Sequence, residues 1–120
     1  MNVIIIEDDK NIANLERLAI SSMFDEIDMA YTGEQAVELL EKKTYDLILL
    51  DIMLPDKTGY DISSYIRMDP RHKMTKIVMV SAKSTNLDVD KGMLIGADDY
   101  VTKPFEIPEL IHVINNVLSN

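Results

Sequence analysis

The residues of this chain whose types could do chemistry are the run Glu7, Asp8 and Asp9, then Asp51, Ser81 and Lys103. Carboxylates gathered at close quarters repel one another, and such a group is reasonable only with a hard cation among them. Mg2+ suits it: the ion takes a few oxygen ligands from protein, keeps waters and leaves positions for a phosphoryl oxygen. Lys103 and the Ser81 hydroxyl could then meet the other oxygens as charge develops, and Asp51 reads as a nucleophile. Taken singly, each acid also has a plainer reading as a helix cap or solvated loop residue, and Asp8-Asp9 before Lys10 could simply cap the next helix.

The case for chemistry rests on the elements that must position these residues. Short apolar runs occur at Val3 to Ile6, Leu47 to Leu50 and Ile77 to Val80, with a weaker one at Ile27 to Tyr31 and a short one at Tyr100-Val101. Runs that are apolar at consecutive positions suit strands buried on both faces of a parallel sheet, and the run carrying Asp28 reads as an edge. Between them the apolar residues take helical spacing: Ile12, Leu15, Leu18 and Ala19; Ala36, Val37 and Leu40; Ile62, Tyr65 and Ile66; and Ile107 through Leu118. Thr32-Gly33-Glu34-Gln35 fits a capping box, with Gln35 reaching back, and Pro108 fits the first turn of the last helix. Leu87 to Ile95 reads as a less regular helix, with Asp88 and Asp90 facing out and Gly92 lowering its propensity. Strand and helix alternate five times, which predicts right-handed crossovers and helices on both faces of one parallel sheet. Ligands of such sheets bind beyond the carboxyl ends of the strands. Glu7, Asp8, Asp9, Asp51, Ser81, Thr102 and Lys103 all fall just there.

Composition narrows the partners. The chain has 120 residues, 21 acidic against 12 basic, for a net charge of −9, so clustered cations for gripping nucleic acid phosphates or an anionic membrane are not expected. With 47% apolar residues it can bury a core as one domain over 1–120. There is no cysteine, which removes disulfides, thiolate metal sites and a thiol nucleophile. The amino terminus turns acidic after four apolar residues, unlike a signal peptide or a membrane span, and a cytoplasmic location is expected.

Along essentially its whole length the chain resembles the receiver domain of two-component response regulators. The resemblance is carried by Asp8 and Asp9, by Asp51 followed by Met53-Leu54-Pro55 and Gly59, by Ser81-Ala82, and by Gly96-Ala97-Asp98-Asp99-Tyr100-Val101-Thr102-Lys103-Pro104-Phe105. It implies a three-layer, doubly wound, flavodoxin-like α/β fold with five helices and a five-stranded parallel sheet of order 2-1-3-4-5. It implies phosphate transfer to Asp51 from the phosphohistidine of a sensor histidine kinase or phosphotransfer protein, with Mg2+ held by Asp8, Asp9, Asp51 and the main-chain carbonyl of Met53. Lys103 would complete the site, and Lys103-Pro104 would be a cis bond. Ser81 and Tyr100 would form the switch, acting on the face built by the fourth helix, fifth strand and fifth helix to control an output domain or partner protein. For Tyr100 the residues alone favour a half-exposed tyrosine at a strand end.

The resemblance implies a switch rather than a turnover enzyme. A small aspartyl-phosphate phosphohydrolase would use similar groups, but it places the nucleophile after the first strand with a second Asp two residues on, whereas Asp51 follows the third and Met53 holds the second place. The protein could be a monomer or a phosphorylation-dependent dimer: Glu109 matches one acidic member of the charged pairs in the dimers of winged-helix regulators, and Val113 stands where an Arg is usual. It could stand alone or be part of a longer regulator. His72 and His112 lack metal-ligand spacing and are expected on the surface or a helix face. The eight methionines are scattered and expected mostly to fill the core.

Overall fold

Four-residue apolar runs separated by amphipathic stretches can bury both strand faces only by placing helices above and below the sheet, and the chain does so. The structure is a computed structural model and describes residues 1–83 and 85–120. The elements are β1 (Asn2–Ile6), α1 (Lys10–Ile20), β2 (Glu26–Ala30), α2 (Gly33–Lys42), β3 (Leu47–Leu50), α3 (Gly59–Met68), β4 (Lys76–Ser81), α4 (Asn86–Leu94), β5 (Asp99–Thr102) and α5 (Ile107–Leu118). A 3-10 turn at Pro70–His72 leads into β4. All five strands are parallel in the order β2-β1-β3-β4-β5, so the run with Asp28 is an edge as expected. Alternate strand residues face opposite layers. Ile4, Ile6, Ile48, Leu50, Ile77 and Met79 pack with Ala36 and Leu40 of α2 and Ile62 and Ile66 of α3. Val3, Ile5, Leu47, Leu49, Val78 and Val80 pack with Ala13 and Ile20 of α1 and Leu110, Ile114 and Val117 of α5. No described helix is long and apolar enough to cross a membrane.

Several sequence expectations are corrected. The buried stripe of α1 is Ala13, Glu16 and Ile20, while Leu15 and Leu18 are 42% and 63% exposed. The helix is turned roughly a third of a turn from the apolar face read in the sequence. Asp9 caps it immediately after the strand, which sets its phase, and small Ala13 lets it lie close to the sheet. Gln35 does not close a capping box on Thr32: its side chain accepts from the Tyr31 N–H at 2.8 Å, one residue further back. The capping box forms instead at α4, between Thr85 and Asp88. His72 is fully buried rather than on the surface, and its Nε2 lies 2.9 Å from the Leu40 carbonyl, an acceptor the last turn of α2 leaves without an intrahelical partner. Of the methionines only Met79 is in the core; Met1, Met53, Met68, Met74 and Met93 are exposed.

The two ends of the sheet are built differently. At the amino ends of β4 and β5, the Arg67 guanidinium donates to Gly96 O at 2.9 Å, Thr75 O at 2.7 Å and Asp98 Oδ2 at 2.9 Å. The same Asp98 oxygen accepts from the Ile77 N–H at 2.8 Å, so one side chain ties α3 to both strands. From the carboxyl end of β4, α4 runs back along the sheet, burying only Gly92 and leaving Leu87 in its first turn and Leu94 at its end exposed.

Candidate functional site

Register gathers the site. The Asp51 N–H donates to Ile6 O at 3.0 Å, which sets Asp51 beside Glu7, and the Lys103 N–H donates to Ser81 O at 2.9 Å. Glu7, Asp51 and Ser81 are buried, whereas Asp8 is exposed. Carboxylate oxygens of Glu7, Asp8 and Asp51 all lie within 4.8 Å of one another. Lys103 reaches across from the end of β5: its Nζ is 3.1 Å from Asp51 Oδ2 and is ion-paired with Glu7. The other Asp51 oxygen, Oδ1, accepts from the Met53 N–H at 3.2 Å. The Lys103-Pro104 peptide bond is cis.

Gly59 is required by this crowding. A Cβ there would sit 2.4 Å from the Asp51 carbonyl oxygen and 2.7 Å from the Ile52 Cα, so any side chain would displace the backbone that carries Asp51.

Burial sets the electrostatics. It pushes the Glu7 carboxyl up to about 7, with the Asp51 charge adding to the shift and the Lys103 ammonium opposing it. For Lys103 burial works to lower the pKa, but the Glu7 hydrogen bond and the Asp51 charge outweigh it and the pKa is raised. One ammonium thus faces a trio of carboxylates. An all-oxygen donor set of this kind, partly buried and short of positive charge, fits a hard divalent cation.

The expected acidic pair is divided. Asp8 joins the cluster, but Asp9 is the N-cap of α1, its Oδ1 accepting from Asn11 N–H at 2.9 Å and Ile12 N–H at 3.2 Å. Glu7 stands in the cluster instead, since strand alternation turns its side chain over the sheet end toward Lys103. Sequence reasoning also missed Glu16. This α1 residue is 1% exposed, and its Oε1 has no hydrogen-bond partner among the described residues. Burial raises its carboxyl to about 8, with the charges of Glu7 and Asp51 adding to the shift and that of Lys103 opposing it. No local signal marks it, because a glutamate within an amphipathic helix reads as solvated.

Ser81 and Tyr100 lie on the α4 side of the site. Ser81 Oγ accepts from the Lys83 N–H at 3.3 Å, and the Tyr100 hydroxyl donates to the Lys83 carbonyl, so both hold the β4–α4 loop. The Tyr100 ring packs on the core beside Gly92, where a Cβ would lie 3.3 Å from the ring and 2.9 Å from Met79 Sδ. Burial pushes its phenol up to about 12.

The 2-1-3-4-5 parallel sheet and the acidic rim at its strand ends define a flavodoxin-like α/β domain. A sequence profile of the response regulator receiver domain matches residues 3–115. Response regulator ArlR of Staphylococcus saprophyticus is 39% identical over 116 residues, 97% of this chain and 51% of that protein. Transcriptional regulatory protein DltR of Streptococcus agalactiae is 37% identical over 111 residues, 92% of this chain and 49% of that protein. The chain spans about half the length of these curated relatives. Among solved structures, a putative response regulator from Chloroflexus aurantiacus superposes with a TM-score of 0.92 at 30% identity, covering 99% of this chain and 98% of that one. The BeF3-activated receiver domain of DrrB gives a TM-score of 0.89 at 30% identity, covering 99% and 97%. The chain belongs to the response regulator receiver domain family, the regulatory switch domain of two-component signalling.

Proposed function

We propose that Asp51 is the phosphoacceptor of this receiver, taking a phosphoryl group from the phosphohistidine of a sensor histidine kinase or phosphotransfer protein. The observation that carries this reading is the buried Asp51 carboxylate held between Lys103 Nζ and the Met53 N–H, with two more carboxylates beside it. In the transfer, an Asp51 oxygen forms the new O–P bond as the N–P bond to the donor imidazole breaks, and the electron pair returns to the imidazole. Mg2+ would be held by Glu7, Asp8, Asp51 and the Met53 main-chain carbonyl, where it supplies charge neutralisation for the phosphoryl oxygens. Asp9, included in the metal set on sequence grounds, keeps its carboxylate on α1 in this reading. Lys103, freed from Glu7, meets a phosphoryl oxygen, and the Ser81 hydroxyl donates to another.

An acyl phosphate adds negative charge and acceptor oxygens where Lys103 and Ser81 converge. Ser81 and Tyr100 both touch Lys83, so a shift of Ser81 toward the phosphoryl group pulls the loop and the tyrosine together. This would re-form the α4-β5-α5 face, on which α4 already exposes Leu87 and Leu94, and control an output domain or partner protein. The domain itself would act as a switch without turnover on outside substrates and without direct nucleic acid contact. A cytoplasmic location follows from this partner set.

The test is incubation with Mg2+ and a small acyl phosphate or phosphoramidate, followed by intact-mass measurement. A labile one-phosphate adduct that disappears in Asp51→Ala is expected. Absence of an adduct, or one that survives the substitution, overturns the reading.

A further inference from the structure

The segment that follows Asp51 is held at its base and at its tip by different means. At the base, Met53 and Thr58 pair as an isolated bridge, and the Gly59 N–H donates to Ile52 O at 2.7 Å. Thr58 then caps α3, accepting from the Asp61 N–H at 3.1 Å. Within the loop Met53, Pro55, Asp56, Lys57 and Thr58 are exposed, and only Leu54 is half-buried against the core. Packing therefore does little to fix the tip.

The tip is fixed by α2. A helix start leaves amide donors without intrahelical partners, and here Thr32 takes only one of them, the Gln35 N–H at 3.1 Å. The first two go to a single carboxylate from elsewhere in the chain: Gly33 N–H to Asp56 Oδ1 at 2.7 Å and Glu34 N–H to Asp56 Oδ2 at 2.9 Å. Two parallel charge-assisted bonds at a helix N-terminus fix direction as well as distance. The Lys57 stem lies over Gly33 so closely that a Cβ there would be 2.9 Å from it, which seals the same contact from the side.

We propose that Asp56 is a positioning residue for the phosphoacceptor site, latching the 53–58 loop to the N-terminus of α2 and so holding Met53 against Asp51. The proposal rests on the reading of Asp51 and its metal set given above. The Met53 N–H to Asp51 Oδ1 bond, at 3.2 Å, is long for its type and sensitive to any swing of the loop. The same swing would carry the Met53 carbonyl away from the carboxylates. Asp56 touches no reacting atom, so its loss should alter metal affinity rather than the transfer step.

Asp56→Ala, Asp56→Asn and the control Thr32→Ala separate latching from helix stability, since Thr32→Ala removes a cap from the same helix end and leaves the latch. Two readouts are needed: backbone amide NMR of the metal-free protein, and the Mg2+ concentration that half-saturates phosphorylation together with the maximal rate. In Asp56→Ala the Gly33, Glu34 and Met53 amide signals should all move. Its half-saturating Mg2+ should rise about tenfold, at the low end of what loss of an outer partner costs a metal site, with the maximal rate nearly unchanged. Asp56→Asn, which keeps one acceptor oxygen, should fall between, and Thr32→Ala should leave both Met53 and the Mg2+ midpoint in place. The proposal is overturned if Met53 stays fixed while the Gly33 and Glu34 amides lose their bonds, or if Thr32→Ala reproduces the Mg2+ shift. Failure of the wild type to accept phosphate would count against the Asp51 reading alone, because the metal-free amide signals still decide the role of Asp56.

Discussion

Replacing Glu16 by glutamine should flatten the pH dependence of stability. Glu16 is 1% exposed with Oε1 unpartnered among the described residues, and its carboxyl titrates near 8 in the folded protein against an ordinary 4.5. A group whose folded pKa is raised contributes stability fully present below its unfolded pKa and lost as the pH rises toward the folded value. Holding that proton while the unfolded chain releases it costs roughly 1 kcal/mol at pH 5 and roughly 4 kcal/mol at pH 7.5. Glutamine has the same shape and no proton to lose, so whatever its amide costs is the same at both pH values. Relative to the wild type, Glu16→Gln should therefore gain about 3 kcal/mol between pH 5 and 7.5, a midpoint change of about 1.5 M urea at a slope near 2 kcal/mol per molar. Glu7, whose pKa is also raised, is present in both proteins and largely cancels. Urea unfolding followed by circular dichroism at the two pH values measures the difference. A gap between variant and wild type that stays constant to within about 0.5 kcal/mol would refute the assignment of Glu16 as a buried, proton-holding acid.

Mg2+ binding should weaken as the pH falls, because the Glu7 carboxyl holds a proton below about 7 that the cation must displace; calorimetric titration should find affinity about tenfold lower at pH 6 than at pH 8, and equal affinities would remove Glu7 from the metal set. Met53 is 58% exposed and Lys83 is exposed; a thioether and an ammonium are poor at orienting a water. Met53→Asn with Lys83→Glu should shorten the phosphoprotein lifetime about tenfold, equivalent to roughly 1.4 kcal/mol of barrier, as followed by loss of label after donor removal; an equal or longer lifetime would reject this. Gly92→Ala gains helix propensity but drives a Cβ onto Met79 and the Tyr100 ring, so a net loss of about 1 kcal/mol in urea unfolding is expected, and a stabilised variant would contradict the contact. Sedimentation with a beryllofluoride phosphoryl mimic decides between a monomer and a dimer through the α4-β5-α5 face: association only with the mimic is the signature of the dimer, and a monomer at high concentration with and without the mimic removes it.

The strands were legible because each is a short apolar run closed by polar residues, and parallel pairing then dictates which rim carries the chemistry. Helix phase was less legible. In α1 the apolar residues Leu15 and Leu18 face outward and Glu16 inward, an arrangement that composition and period alone read in reverse. The same limit explains the acidic run: Glu7, Asp8 and Asp9 are adjacent and chemically alike, and only the backbone shows that Asp9 is used by α1 and Glu7 by Lys103. His72 was misplaced because its burial depends on a helix-end carboxyl-side acceptor, the Leu40 carbonyl, far away in sequence. Asp56 was invisible for a similar reason, since its partners belong to the N-terminus of another helix.

The Arg67 tie pins the amino ends of β4 and β5 to α3. Because the guanidinium binds Gly96, Thr75 and Asp98 together, the strands cannot slide or rotate as a body when something pulls at Ser81. In the proposed switch, motion would be taken up beyond the pin, toward Lys83 and the start of α4, the helix with the fewest buried residues. The two strands would then pivot about the end opposite the rim. A displacement at Ser81 would then be felt at Leu87 in the first turn of α4, while Leu94, two residues before the pinned Gly96, would stay with the pivot.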